Sequence, residues 1–235
     1  MKKSFLILLT AISVLFLSAC GTTKMPFDND SEVYSATGNP IFLLSATLKN
    51  DYKPNYQPKV MDVVLMQKIP GQEKKQDIFF RTDSKSKVED DTPEKGNSYF
   101  LRFELEKGEY VIRDMRGFSN GFMVSGPFFM PMFSEIKATG PGVYYLGHVQ
   151  AVTRERKPGE LSSSGSIFQM PINQLATMPT GYNDSTFDVV ISDQSEKDIP
   201  TFKSKFPALK NVAIQKMILP PVDKAEIKKN FKEFT

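Results

Sequence analysis

Few side chains in this 235-residue chain are suited to nucleophilic catalysis or metal binding, because it contains one histidine, His148, and one cysteine, Cys20. A Ser-His-Asp or Cys-His arrangement would have to be built on His148. That residue falls in a predicted strand, and we interpret it as structural. A zinc site normally draws on several histidines or cysteines, so the sequence predicts no metal ion and no cofactor.

Carboxylates are the remaining candidates for catalysis. The chain has 27 aspartates and glutamates, and a glycosidase needs two of them at a separation that only folding sets. A hydrolase acting on cell-wall or surface glycan is therefore the alternative function. The acidic run at residues 89–91 lacks the pattern of a calcium-binding loop, and we interpret it as part of a solvated loop.

The charge balance argues against a nucleic-acid partner. The formal net charge is +3, and it falls to about +1 without Lys2 and Lys3. A nucleic-acid-binding domain usually carries a strong positive patch. The sequence therefore predicts no nucleic-acid binding.

The first twenty residues have the three parts of a secretory signal. Lys2 and Lys3 precede an apolar run over residues 5–17, and small residues follow before Cys20. The apolar run is shorter than the ~20 residues that a membrane-spanning helix needs. We therefore expect an exported protein.

The motif Leu17-Ser18-Ala19-Cys20 resembles the lipobox of bacterial lipoproteins. The resemblance implies that residues 1–19 are removed and that Cys20, the new first residue, carries several acyl chains, enough for stable anchoring. It also implies export to the outer membrane, because Gly21 occupies the position where an aspartate favours retention in the inner membrane. The expected location is the periplasmic face, with the membrane as a partner through the lipid. The alternative is an ordinary secretory signal that happens to contain a cysteine.

Residues 20–39 are rich in polar and turn-forming residues, and we expect a flexible tether there. From residue 40 to 219, short apolar runs between turn residues predict a mainly β domain. The predicted strands cover residues 41–48, 60–67, 77–81, 99–106, 110–116, 143–153, 166–172, 187–192 and 212–219. Helices are predicted over 195–206 and 223–234, the second forming an amphipathic C-terminal segment, residues 220–235.

Alternation is clearest at residues 99–106, where one buried face and one mostly wet face are expected. The turn after it contains Gly108, and we predict a β-hairpin with residues 110–116 in which Gly108 has a positive φ. The motif Leu105-Glu106-Lys107-Gly108-Glu109-Tyr110 resembles a turn of transthyretin-like (prealbumin-like) and immunoglobulin-like folds. The resemblance implies an antiparallel β-sandwich, to which the helical patterns add one or two short C-terminal helices.

A second resemblance combines Gly108-Glu109-Tyr110 with the segment Gly140-Pro141-Gly142-Val143-Tyr144-Tyr145-Leu146-Gly147. Together they are similar to a group of uncharacterised bacterial lipoproteins with a sandwich domain. The similarity covers residues 41–153 and implies no known activity.

Residues 116–133 carry many Phe and Met residues among Gly and Pro, with neither helical nor alternating periodicity. We expect a long apolar loop, which either caps the open end of the sandwich or docks a partner in the cell envelope. The candidate partner-binding residues are Phe118, Phe122, Met123, Phe128, Phe129, Met130 and Phe133. The expected function is a lipid-anchored, non-catalytic binding or assembly module, and a purely structural lipoprotein is a further alternative.

Overall fold

The computed structural model describes residues 21–71, 75–88, 92–121, 124–164 and 179–233. The predicted signal, Cys20, Phe122, Met123 and the strand predicted at 166–172 lie outside these residues. Within them the protein is mainly β, with two sheets and two short helices.

Most predicted strands are confirmed, several of them longer than expected. The strands are β1 (Thr23–Lys24), β2 (Ile41–Asn50), β3 (Lys59–Lys68), β4 (Gln76–Arg81), β5 (Asn97–Glu104), β6 (Gly108–Gly121), β7 (Val124–Ala138), β8 (Val143–Glu155), β9 (Ser185–Ser192) and β10 (Ile214–Lys216). The helices are α1 (Ser195–Lys205) and α2 (Lys224–Glu233), with a 3-10 turn at Pro207–Leu209 between them.

The strands form two sheets. Sheet I has the order β1-β4-β3-β6-β7, and sheet II has the order β10-β8-β2-β5, with β9 also paired to β8. The expectation of purely antiparallel sheets is wrong, because β2 pairs with β8, β10 with β8, and β1 with β4 in parallel. Strands far apart in the sequence are not joined by tight hairpins, so their direction is free to be parallel. As predicted, β8 is central, and Gly147 (φ 112°) lies opposite a register shift in β2.

The inner faces of the sheets share one hydrophobic core. Sheet II contributes Leu44, Leu101 and Leu146, and sheet I contributes Val63, Ile112 and Met130, all fully buried. Full burial of such a side chain is worth about 1.5–3 kcal/mol. This core holds the two sheets face to face.

The hairpin predicted around Gly108 is wrong. Strand β5 pairs with β2 in sheet II, whereas β6 pairs with β3 and β7 in sheet I. Gly108 does not have a positive φ. The connection crosses between the sheets instead, and the Tyr110 hydroxyl donates to the Glu106 carbonyl at 2.9 Å. This is the geometry of a tyrosine corner.

The outer face of β5 is not wet, in contrast to the prediction. Phe100 and Arg102 are both buried there. Phe100 packs against Phe202 of α1, with ring centroids 4.8 Å apart. Arg102 stacks on Phe206, with its guanidinium carbon 4.2 Å from the ring centroid. Helix α1 and the residue after it therefore cover the outer face of sheet II at β5.

The apolar loop expected at residues 116–133 is also wrong, because this segment belongs to β6 and β7. The two strands pair from Gly108 opposite Ala138 to Gly121 opposite Val124. The sequence of β7 does not alternate between apolar and polar residues because the strand is covered on both faces. It also contains Pro127 and Pro131, which an edge strand tolerates.

The tether expected at residues 20–39 is corrected in part. Strand β1 pairs with β4, placing Thr23 opposite Phe80. Met25 and Phe27 are buried, and the Pro26 carbonyl accepts a hydrogen bond from Arg102 at 2.7 Å. The chain is thus part of the fold from Thr23 onward.

Both predicted helices form. The Ser195 amide of α1 donates to the Asp193 carboxylate at 2.9 Å, and Asp198 in the first turn is buried. Asp223 caps α2 by accepting from the Ala225 amide at 2.8 Å. No helix in the described ranges is long and apolar enough to cross a membrane.

Candidate functional site: a cavity between two sheet edges

His148 belongs to a buried polar cluster on the outer face of sheet II. Its Nδ1 lies 2.9 Å from the Ser45 Oγ, which also donates a hydrogen bond to Asp198. The Tyr145 hydroxyl donates to the same Asp198 oxygen at 2.6 Å. Ser45 and His148 are register partners on β2 and β8, and Asp198 comes from α1.

This cluster does not have the arrangement of a catalytic triad. In a triad, histidine separates the serine from the carboxylate and accepts the serine proton. Here Ser45 is buried and donates a hydrogen bond to Asp198, and His148 Nδ1 lies nearer to the Ser45 hydroxyl, at 2.9 Å, than to the Asp198 carboxylate, at 3.8 Å. Burial also lowers the pKa of His148. The cluster instead fixes α1 on sheet II.

Sequence reasoning interpreted His148 as structural and did not find its partners. Ser45 lies 103 residues from His148 and 153 from Asp198. No local pattern marks residues so far apart along the chain.

A second charged cluster lies on the outer face of sheet I. Arg113 donates to Asp114 at 2.5 Å and to Asp77 at 2.6 Å. Burial raises the pKa of Asp114 despite these contacts. The two carboxylates are thus held by one guanidinium, whereas a glycosidase needs a pair free to reach a sugar.

The predicted partner-binding residues are mostly inside the protein. Phe128, Phe129, Met130 and Phe133 are buried, and Phe118 alone of those described is exposed, at 41%. Phe128 and Met130 lie in the shared core. Phe133 packs with Ile227 of α2. The expectation of an exposed surface is therefore wrong for Phe128, Phe129, Met130 and Phe133, whereas Phe122 and Met123 lie outside the described residues.

The same region does border a cavity. The cavity has a volume of about 170 Å³ and lies between β7, β9, residues 159–163 and α2. Most of its wall is apolar. The apolar lining comprises Phe129, Pro131, Leu161, Phe187, Val189, Val222 and Ile227.

The cavity exists because a short segment bridges the edges of the two sheets. The Phe129 amide of β7 donates to the Ser163 carbonyl at 2.6 Å, and the Ser163 amide donates to the Ser185 carbonyl of β9 at 2.8 Å. We call this side of the molecule, formed by β7, residues 161–164 and β9, the cavity edge. The bridging backbone holds β7 and β9 apart, and α2 covers the gap.

One polar group in the cavity wall is unsatisfied. Ser163 is buried, and its hydroxyl has no hydrogen-bond partner among the described residues. A buried hydroxyl without a partner costs free energy.

Charged side chains surround the cavity. Glu160 accepts two hydrogen bonds from Arg154, at 2.6 and 2.7 Å, and these lower its pKa to about 2. Lys224 pairs with Asp188 at 2.9 Å. Lys228 also lines the cavity and forms no ion pair with the residues that the structure describes. Among the described residues at the cavity rim, the charge without an ion-pair partner is therefore the positive charge of Lys228.

Sequence reasoning missed the cavity because its walls come from separate parts of the chain. Phe129 is the single predicted site residue among them. No group of three or more His, Cys, Asp or Glu side chains that could hold a metal ion occurs in the described ranges. Compared with known proteins, the chain matches no family model, no curated protein and no solved structure.

Proposed function

We propose that the chain is a lipoprotein of the bacterial outer membrane, anchored through Cys20 on the periplasmic face, that binds a small molecule without catalysis. The anchor is supported by the lipobox-like motif Leu17-Ser18-Ala19-Cys20. The binding function is carried by the apolar cavity beneath α2.

The dimensions and walls of the cavity define the ligand class. A cavity of about 150 Å³ lined by apolar side chains accepts a benzene ring, and this one measures about 170 Å³. Lys228 lines the cavity without an ion-pair partner among the described residues, and its charge favours an anionic group beside the apolar part of the ligand. The ligand is a small aryl or alkyl compound with a carboxylate.

A transthyretin-like or immunoglobulin-like sandwich is the fold type that we propose. Two features support it: the face-to-face packing of the sheets around one core and the Tyr110 corner between β5 and β6.

Direct titration tests the binding function. Phenylacetate and hexanoate, added to the isotope-labelled protein, should shift the NMR signals of residues around the cavity. Val222→Phe fills the cavity and should abolish these shifts. Val190→Phe is the matched control, because Val190 is exposed on β9 and does not line the cavity. Equal binding by both variants would contradict the cavity as the site.

A second pair of variants tests the expected preference of the cavity for an anionic ligand. Lys228→Gln should weaken hexanoate binding and leave hexanol binding unchanged, whereas Lys229→Gln on the same helix should alter neither. Binding of hexylamine in place of hexanoate would contradict the proposed ligand class.

The alternatives predict different results. A glycan hydrolase would lose activity on peptidoglycan or surface glycan when either of two particular carboxylates is replaced. A purely structural lipoprotein would bind none of the probes. Fractionation of cells that express Cys20→Ala tests the anchor, since membrane association that survives the change would exclude a lipid on Cys20.

A further inference from the structure

The fold begins almost directly after Cys20. Thr23 and Lys24 form β1, which pairs with β4 at the edge of sheet I. Gly21 and Thr22 alone separate this strand from Cys20. Three extended residues span at most about 11 Å, so Cys20 lies within that distance of Thr23.

Burial fixes the segment that follows β1. The side chains of Met25 and Phe27 are buried, and the Ser86 hydroxyl lies 3.4 Å from the Met25 sulfur. The Phe27 amide donates to Glu32 at 2.7 Å. Releasing β1 to act as a tether would expose this apolar surface.

On the premise of the proposed lipid anchor, we propose that the β1 edge of sheet I rests on the phospholipid headgroups and that the cavity faces the aqueous compartment. A lipid on Cys20 leaves too little chain for the domain to stand clear of the bilayer. Lys24 and Arg81 are register partners at this edge, and both are exposed. Their positive charges suit contact with lipid phosphates.

The order of strands sets the position of the cavity. β1 and β7 are the two outer strands of sheet I, four strand spacings apart. At about 4.8 Å per spacing, β7 lies about 19 Å from β1 across the sheet. The cavity next to β7 would therefore lie on the side of the domain away from the membrane, within reach of a ligand dissolved in water.

Single-tryptophan fluorescence tests this orientation, because the chain has no tryptophan. Arg81→Trp places the probe beside β1, and Val190→Trp places it on β9 in the other sheet. The lipidated full-length protein is reconstituted in vesicles that contain lipids with a nitroxide on the headgroup. We expect Arg81→Trp to lose fluorescence and Val190→Trp to retain it. Lys24→Trp provides a second probe at the β1 edge if Arg81→Trp fails to fold.

A linker insertion supplies the control. Twenty Gly and Ser residues between Gly21 and Thr22 add a mean reach of about 25 Å, and the quenching of Arg81→Trp should then disappear. Equal quenching at positions 81 and 190 in membrane-bound protein would overturn this orientation and leave the anchor intact. Absence of acyl groups on Cys20 by mass spectrometry would overturn the anchor and the orientation together.

Discussion

The two sides of the molecule where sheet edges meet are closed by different means. We call the side formed by β1, β4 and β5 the N-terminal edge, and it is sealed by a network around Arg102. The guanidinium donates to the Pro26 carbonyl at 2.7 Å, to the Phe100 carbonyl at 3.0 Å and to Asp83. The Arg102 side chain is fully buried, and its charge is paired.

The cavity edge is closed by backbone hydrogen bonds and a helix instead. An ion pair beside this edge, between Arg154 of β8 and Glu160, lies at the surface with side chains 33% and 29% exposed. The hydroxyls of Ser163 and Ser185 are buried without a hydrogen-bond partner among the described residues. Paired buried charges therefore hold the N-terminal edge, whereas the cavity edge is held by backbone hydrogen bonds and contains two buried hydroxyls without a partner among the described residues.

The two edges therefore differ in their expected roles: the N-terminal edge contributes mainly to stability, and the cavity edge contains the candidate binding site. Buried polar groups with full sets of partners stabilise one native arrangement, and removing a partner leaves the others unpaired. A buried hydroxyl without a partner costs some stability. The same substitution should therefore have different effects at the two edges.

The largest expected contrast is between two arginines. Arg102→Leu should lower the free energy of unfolding by about 3–5 kcal/mol, because it leaves Asp83 without its buried partner. Arg154→Leu should cost about 0–1 kcal/mol, since its ion pairs are exposed. Equilibrium denaturation of both variants measures the contrast, and equal losses would contradict it.

Replacing two buried serines by alanine should change the free energy of unfolding in opposite directions. Ser86 is buried at the N-terminal edge, where its hydroxyl contacts Asp83 at 2.8 Å, so Ser86→Ala should lower the free energy of unfolding by about 1–2 kcal/mol. Ser163→Ala removes a hydroxyl without a partner and should raise it by up to about 1 kcal/mol. Thermal denaturation compares the two. A destabilised Ser163→Ala protein would show that the hydroxyl is satisfied.

The smallest effect is a dependence on pH at the cavity edge. Hydrogen bonds from Arg154 lower the pKa of Glu160 to about 2, below its value of about 4.3 in an unfolded chain. The stabilisation is complete above pH 4.3 and is lost as the pH falls toward 2. The loss should be within the ~0–1 kcal/mol of an exposed pair.

Denaturation at several pH values checks this effect. The slope between pH 4.3 and 2 should be smaller in Glu160→Gln than in the unaltered protein. An unchanged slope would assign the acid sensitivity to other carboxylates.

The alternation of residues and the positions of turn residues predicted most of the strands. Residues 99–106 show why this works, since Tyr99, Leu101 and Phe103 do line the core. The same segment shows where it fails, because Arg102 has the polarity of a surface residue but lies beneath Phe206. Burial of the second face depends on α1, more than ninety residues away.

The sequence by itself determined the mainly β class, the central β8 with its irregularity at Gly147, and the two C-terminal helices. These features follow from local periodicity and backbone preference, which neighbouring residues carry. The tertiary structure alone decided that β5 and β6 lie in different sheets, that Phe128 and Met130 are core, and that a cavity lies between β7 and β9. Each depends on contacts between residues far apart in the chain, which no local pattern encodes.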